Sequence, residues 1–215
     1  MLYKISIFAL ALAAIIAPVS AATVPAIAAF DDAFARVNDY TLTVHAHEVK
    51  GDQTQDRIYH FWFKKPHQAK TQIVSGPGAG GGGVWTGGDT VSGHQGGILS
   101  FFHLKVGLHD RRAVSLRGYT IPDGLLPNQA DKYKEIKGAL SERNGPTIGG
   151  QETTLVELLV ADSSADPGVT RAVIYFSKAT HFPVVQIRYG SDGKILSQET
   201  WTDLRTNVGL KDSDF

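Results

Sequence analysis

Three histidines, a glycine triplet and two serines are the residues whose types and spacing first suggest chemistry. His45 and His47 stand two apart on one strand face, and His60 falls where a neighbouring strand would bring it near, a set that could grip zinc. No carboxylate pattern completes that set, and His45 and His47 alternate with apolar residues as solvated side chains do. Gly76, Gly78 and Gly81 match G-x-G-x-x-G after a strand, the spacing that cradles a dinucleotide pyrophosphate. Pro77 sits inside the match, however, no helix follows, and the order of elements is not βαβ. Val74-Ser75-Gly76 and Val91-Ser92-Gly93 each lack the leading glycine of the G-x-S-x-G nucleophile elbow. The expectation is therefore a protein that is not an enzyme, with no catalytic residue, no metal and no cofactor.

Apolar chemistry is better represented. From Arg57 to Lys65 the residues Tyr59, Phe61 and Phe63 share one side of a run that Pro66 ends, with Ile58, His60 and Trp62 on the other. Aromatic rows of this kind line cores and ligand pockets alike, so the row needs a sheet to hold it and something to face.

The elements around it supply both. Pro25 to Asn38 places Ile27, Phe30, Phe34 and Val37 at spacings of three and four, one stripe of an amphipathic helix with Pro25 in its first turn. The period then changes to two, with Tyr40, Leu42, Val44 and Ala46 alternating with Thr41, Thr43, His45 and His47. Gln68 to Val74 is the third strand of a meander. Between Gly76 and Gly97, 11 of 22 residues are glycine, which reads as loops and one short hairpin with arms Val84-Trp85 and Thr90-Val91, turning at Gly87-Gly88-Asp89. Ile98 to Leu116 reads as an irregular strand. A second helix follows Pro122, with Leu126, Ala130, Tyr133 and Ile136 on one face, ending near Gly138. Four hairpin-linked strands close the chain, Thr153 to Ala161, Val169 to Ser177, Phe182 to Tyr189 and Ile195 to Leu204. The fold class is mainly β (α+β), with about 9–11 antiparallel strands, enough to curl towards a barrel whose mouth the helices cover.

Residues 1–21 carry Lys4, an apolar stretch from Ile5 to Ala17 and small residues at Val19 and Ala21, the pattern of a cleaved signal peptide. The mature region from 22 to 215 is expected to be one domain, large enough to bury roughly 70% of its unfolded surface without staples. Cysteine is absent, so disulfides, thiolate metal sites and a lipidated N-terminal cysteine are excluded. Lys and Arg number 21 against 21 Asp and Glu, in no blocks, which excludes electrostatic steering of nucleic acid.

Several segments, taken in order, resemble the LolA-like family of outer-membrane lipoprotein-sorting proteins over nearly the whole mature region. They are Tyr40-Thr41-Leu42-Thr43 after the first helix, Phe61-Trp62-Phe63-Lys64-Lys65-Pro66, Val84-Trp85-Thr86-Gly87-Gly88-Asp89, Thr180-His181-Phe182-Pro183-Val184, Asp192-Gly193-Lys194, and Asp203-Leu204-Arg205-Thr206-Asn207 with the closing Asp214-Phe215. The resemblance implies a half-open antiparallel barrel with a helical lid over an apolar cavity, in a soluble carrier of acylated lipoproteins in the periplasm. It implies a cavity lined by Leu42, Val44, Tyr59, Phe61, Phe63, Val156, Leu158, Ile174 and Phe176, and a lid formed by Phe30 and Phe34 and tied by Lys65. Lysine departs there from the carrier's arginine and lacks its planar fork of donors. The partners implied are lipoprotein acyl chains or free lipid, with membrane-bound donor and acceptor proteins. Membrane contact is expected to be transient at most, and the chain to be a monomer. The rival expectation is a non-transporting periplasmic interaction or envelope-sensing protein on the same fold, with a hydrolase, whose Ser, His and acid would have to converge, ranked behind it.

Overall fold

The structure is a computed structural model that describes residues 24–97 and 103–215. The expected signal peptide at 1–21 and the first part of the strand expected from Ile98 lie outside the described residues. Helix α1 is Pro25–Ala35, and strands β1 Asp39–Lys50, β2 Gln53–Lys64, β3 Gln68–Ser75, β4 Gly82–Trp85, β5 Thr90–His94 and β6 His103–Gly107 follow. A single 3₁₀ turn, Pro122–Gly124, leads into helix α2, Leu126–Glu135. Then come β7 Gly138–Asn144, β8 Thr153–Val160, β9 Arg171–Ser177, β10 Pro183–Tyr189 and β11 Ile195–Thr206.

All the strands belong to one 11-stranded sheet in the order β6-β5-β4-β3-β2-β1-β11-β10-β9-β8-β7, with every described pair antiparallel. It consists of two meanders, β1 to β6 and β7 to β11, joined where β1 pairs with β11. The outermost strands β6 and β7 do not pair with each other, so the barrel is half open. The chain from 108 to 137 runs from one free edge to the other and carries α2 with it, so the second helix covers the open side by connectivity alone.

Period-two patterning set the register as expected. Leu42 stands opposite Phe61, Val44 opposite Tyr59 and Tyr40 opposite Phe63, which puts the apolar set of β1 and the aromatic row of β2 on one concave face. The hairpin of β4 and β5 turns through Gly87 and Gly88, both at positive φ, where a side chain would be strained.

Three expectations need correction. Of the strand expected from Ile98 to Leu116, the described residues form only His103–Gly107, and the chain from Leu108 to Leu116 turns outside the sheet. Helix α1 stops at Ala35 rather than Asn38, because Asn207 captures the chain: its Nδ2 donates to the Arg36 carbonyl at 3.1 Å, and its Oδ1 accepts the Asn38 N–H at 2.7 Å. Strand β7 was not expected. Leu140 is its only partly buried apolar side chain, while Ser141, Glu142, Arg143 and Asn144 are exposed, so it carries no alternating signal.

Candidate ligand-binding hollow

The two ends of the half-barrel differ in what faces the sheet. At one end α1 lays Ile27, Phe30 and Ala33 into the concavity. The Phe30 ring lies 5.7 Å from Phe34, 5.9 Å from Phe176 and 5.7 Å from Phe182. Tyr40 then stacks 5.0 Å from Phe63 and 6.3 Å from Phe61. This chain of rings leaves no space, and Phe63, Val156, Leu158, Ile174 and Phe176 are all buried in the packed core. Aromatic pairs at these separations add about 0.5–1.5 kcal/mol each beyond their buried area.

At the other end lies a hollow of about 720 Å³. Native cores hold few voids larger than a water molecule, and this half-open volume falls within the roughly 300–1,000 Å³ usual for small-molecule pockets, which makes it the candidate site. Of the residues assigned to a cavity from the sequence, Val44, Tyr59 and Phe61 line it. Leu42, Phe63, Val156, Leu158, Ile174 and Phe176 do not, because the rings of α1 and the body of α2 fill the part of the barrel they face. Their places on the wall are taken by Val91, Leu104, Val106, Ile121 and Trp201. Glycines of the 78–97 stretch and a set of polar side chains complete the wall. Gly83 and Gly93 pair across β4 and β5 in a row that continues from Thr71 to Leu104, and neither brings a side chain to occupy the space. No alternation announces this in the sequence, since β4 reads Gly-Gly-Val-Trp and β5 carries one glycine, in a stretch whose composition reads as loop.

Polar groups missed in the sequence reading fix α2 over the sheet. Arg188 of β10 is 4% exposed and donates from Nη2 to Gln129 Oε1 of α2 at 2.6 Å and from Nη1 to Ser197 Oγ at 3.1 Å. Its Nε lies 3.4 Å from Asp166 Oδ2, and its guanidinium sits 4.9 Å from the centroid of the Tyr119 ring. Gln129 Nε2 in turn donates to Glu199 Oε2 at 2.9 Å, and Glu199 looks into the hollow. Burial raises the pKa of Glu199 above the ordinary carboxylate range, against the pull of Arg188 and Lys132. Arg117 Nη2 bonds Asp166 at 3.0 Å and Arg117 Nη1 the Val49 carbonyl at 3.2 Å, which pins the connection beneath α2 to the end of β1.

Lys65 reaches the C-terminal end of α1. Its Nζ donates to the carbonyls of Phe34 at 3.0 Å and Ala35 at 3.3 Å, and lies 4.8 Å from the centroid of the Phe34 ring. A cation there satisfies helix-end carbonyls and meets the negative end of the helix dipole. Three rotatable donors reach two carbonyls without a planar fork. Lys65→Met is expected to destabilise the fold by about 0.5–1 kcal/mol and Lys65→Arg to recover most of that, measured by urea unfolding. Amide exchange should show the faster opening confined to α1 and its C-terminal turn.

The histidines take no part. His45 is exposed on the outer face, His47 Nδ1 meets Asp56 Oδ1 at 2.8 Å, and His60 Nδ1 lies 3.5 Å from Thr43 Oγ1.

The chain is thus a half-open antiparallel barrel with a helical lid, holding a hollow beside a packed aromatic end, the fold class expected from the sequence. No family model matches the sequence, and no curated protein matches it. Among solved structures the chain is similar to an uncharacterized conserved protein from Thermus thermophilus, at 9% identity and a TM-score of 0.58, over 88% of this chain and 89% of that one. It is also similar to MucB, at 13% identity and a TM-score of 0.54, over 92% of this chain and 63% of that one. A LolA superfamily protein from Nitrosomonas europaea matches at 12% identity and a TM-score of 0.42, over 92% and 97% of the two chains. The likeness to the first two is one of fold.

Proposed function

We propose that the protein is exported and binds or carries lipid-like ligands, acyl chains foremost, in the hollow between β1 to β6 and the 108–125 connection. The single observation that supports this best is the unfilled 720 Å³ itself, walled by Val44, Phe61, Val91, Val106, Ile121 and Trp201. Burial contributes about 0.8 kcal/mol per methylene, so a chain of about 16 carbons would gain roughly 10 kcal/mol before ordering costs. That is ample for capture, and a carrier must also release. The 108–125 connection supplies a means: it lines the hollow, and displacing it breaks the Arg117 bonds to Asp166 and to the Val49 carbonyl, so the net affinity is the chain's burial less the work of opening. Binding is the proposed activity, and catalysis has no part in it.

The test is mass spectrometry of lipid extracted from protein purified from the periplasm, with titration of an acyl-chain fluorophore. The expected result is co-purifying lipid and saturable binding, with Ala46→Phe weakening the fluorophore by at least about tenfold, since this half-buried alanine lines the hollow and a phenyl group would occupy it. Absence of both lipid and saturable binding would leave a non-transporting interaction protein on the same fold.

A further inference from the structure

The hollow is polar at one end and apolar at the other, and the polarity follows strand register. Reading across β11, β1 and β2, one inward row is Trp201, Val44 and Tyr59. Two residues further along the strands, a step of about 7 Å, the row is Glu199, Ala46 and Arg57. Two further on, Glu48 stands opposite Ser197. Both carboxylates line the hollow, and Glu48 is only 6% exposed. Each uses one oxygen within the protein: Glu199 Oε2 accepts from Gln129 Nε2 at 2.9 Å, and Glu48 Oε2 accepts the Arg117 N–H at 2.8 Å. The second oxygen of each has no donor among the described residues.

Arg57, the cation in the same row, is engaged elsewhere. Its Nε donates to the Pro77 carbonyl at 2.7 Å and its Nη1 to Tyr59 Oη at 3.3 Å. Arg111 and Arg112 sit at the exposed side of the hollow, and Arg112 is held in a two-point pair with Asp110 at 2.9 and 2.8 Å. Around Glu199 and Glu48 two carboxylate oxygens thus lack donors among the described residues, with a wall of apolar side chains leading to them.

Resting on the lipid-binding reading, we propose that the hollow selects an amphiphile whose polar end donates hydrogen bonds, a protonated amine foremost, and seats that end between Glu199 and Glu48. Its hydrocarbon then lies against Phe61, Val91, Val106 and Trp201. A carboxylate-headed amphiphile would bring further acceptors and its own negative charge to two carboxyl groups that already lack donors, and is selected against. Because burial raises the Glu199 pKa, the folded chain at neutral pH is strained by holding that charge. Glu199→Gln, which still accepts from Gln129, is therefore expected to melt no lower than the parent at pH 7, so any loss of binding is not a loss of fold.

The experiment is displacement of the neutral fluorophore N-phenyl-1-naphthylamine by dodecylamine, dodecanol and dodecanoate at pH 7, on the parent protein, Glu199→Gln and Glu48→Gln. The amine is expected to compete at least about tenfold better than dodecanoate on the parent, with dodecanol between them, and each variant to lose most of that advantage when competition is scaled to the variant's own affinity for the fluorophore. Dodecanoate equalling the amine, or variants that keep the preference, would overturn head-group selection and leave the lipid-binding reading intact. If neither the fluorophore nor any of the three binds, both readings fall.

Discussion

Phe30→Ala is expected to lower the free energy of unfolding by about 3–5 kcal/mol, the range for deleting a fully buried phenyl ring, and to lower the melting temperature by about 10 °C in a chain of this size. The ring is 0% exposed and touches Phe34, Phe176 and Phe182, which belong to α1, β9 and the turn before β10. Truncation therefore removes the contact that ties the first helix to the far half of the sheet. Phe34→Ala should cost clearly less, because that side chain is only half buried. Urea unfolding monitored by tryptophan fluorescence and far-ultraviolet circular dichroism gives both numbers. A loss below about 1 kcal/mol for Phe30→Ala would mean that α1 is a loosely seated cover, and that ligands could enter by lifting it. The larger loss would make α1 a fixed part of the core.

Arg188→Met is expected to be comparably severe, at about 3–5 kcal/mol, the usual effect of removing one partner from a buried charged cluster. Methionine replaces the stem but leaves Gln129 Oε1 without its donor at 1% exposure and removes the nearest cation from Glu199. Asp166 keeps Arg117 and the Tyr119 hydroxyl, so it is not the group that suffers most. A double-mutant cycle separates the terms. Arg188→Met combined with Gln129→Leu should destabilise less than the sum of the two single changes, because the second change removes the acceptor that the first one orphans. Strict additivity would show that the Arg188 to Gln129 bond does not hold α2.

Most of the sheet was legible from periodicity and turns, because a strand with one buried face must alternate. Asp166-Pro167-Gly168 and Ser191-Asp192-Gly193 separated β8 from β9 and β10 from β11 where expected, and Gly87-Gly88-Asp89 placed the β4 to β5 hairpin. Strand β7 escaped because an edge strand with one free side can be polar: Glu142 spends its side chain on the Ala26 N–H at 2.9 Å, serving the start of α1 and not a core. The position of the hollow was illegible for a different reason. Leu42, Val44, Tyr59, Phe61 and Phe63 look alike in sequence, and only what lies opposite separates them. Opposite Phe63 are the rings of α1, and opposite Tyr59 are glycine strands and open space. The polar end draws on Glu48, Gln129, Arg188 and Glu199, residues up to 151 positions apart that no spacing rule connects.

A ring of strands has a circumference set by its own ladder, and widening it means tearing hydrogen bonds. Here β6 and β7 share none, so the two meanders can swing apart about the β1 to β11 seam without breaking a single rung. The width of the hollow is thus tied to the strap that crosses the gap, and shortening or stiffening residues 108–125 is expected to change the length of acyl chain that the proposed binding admits.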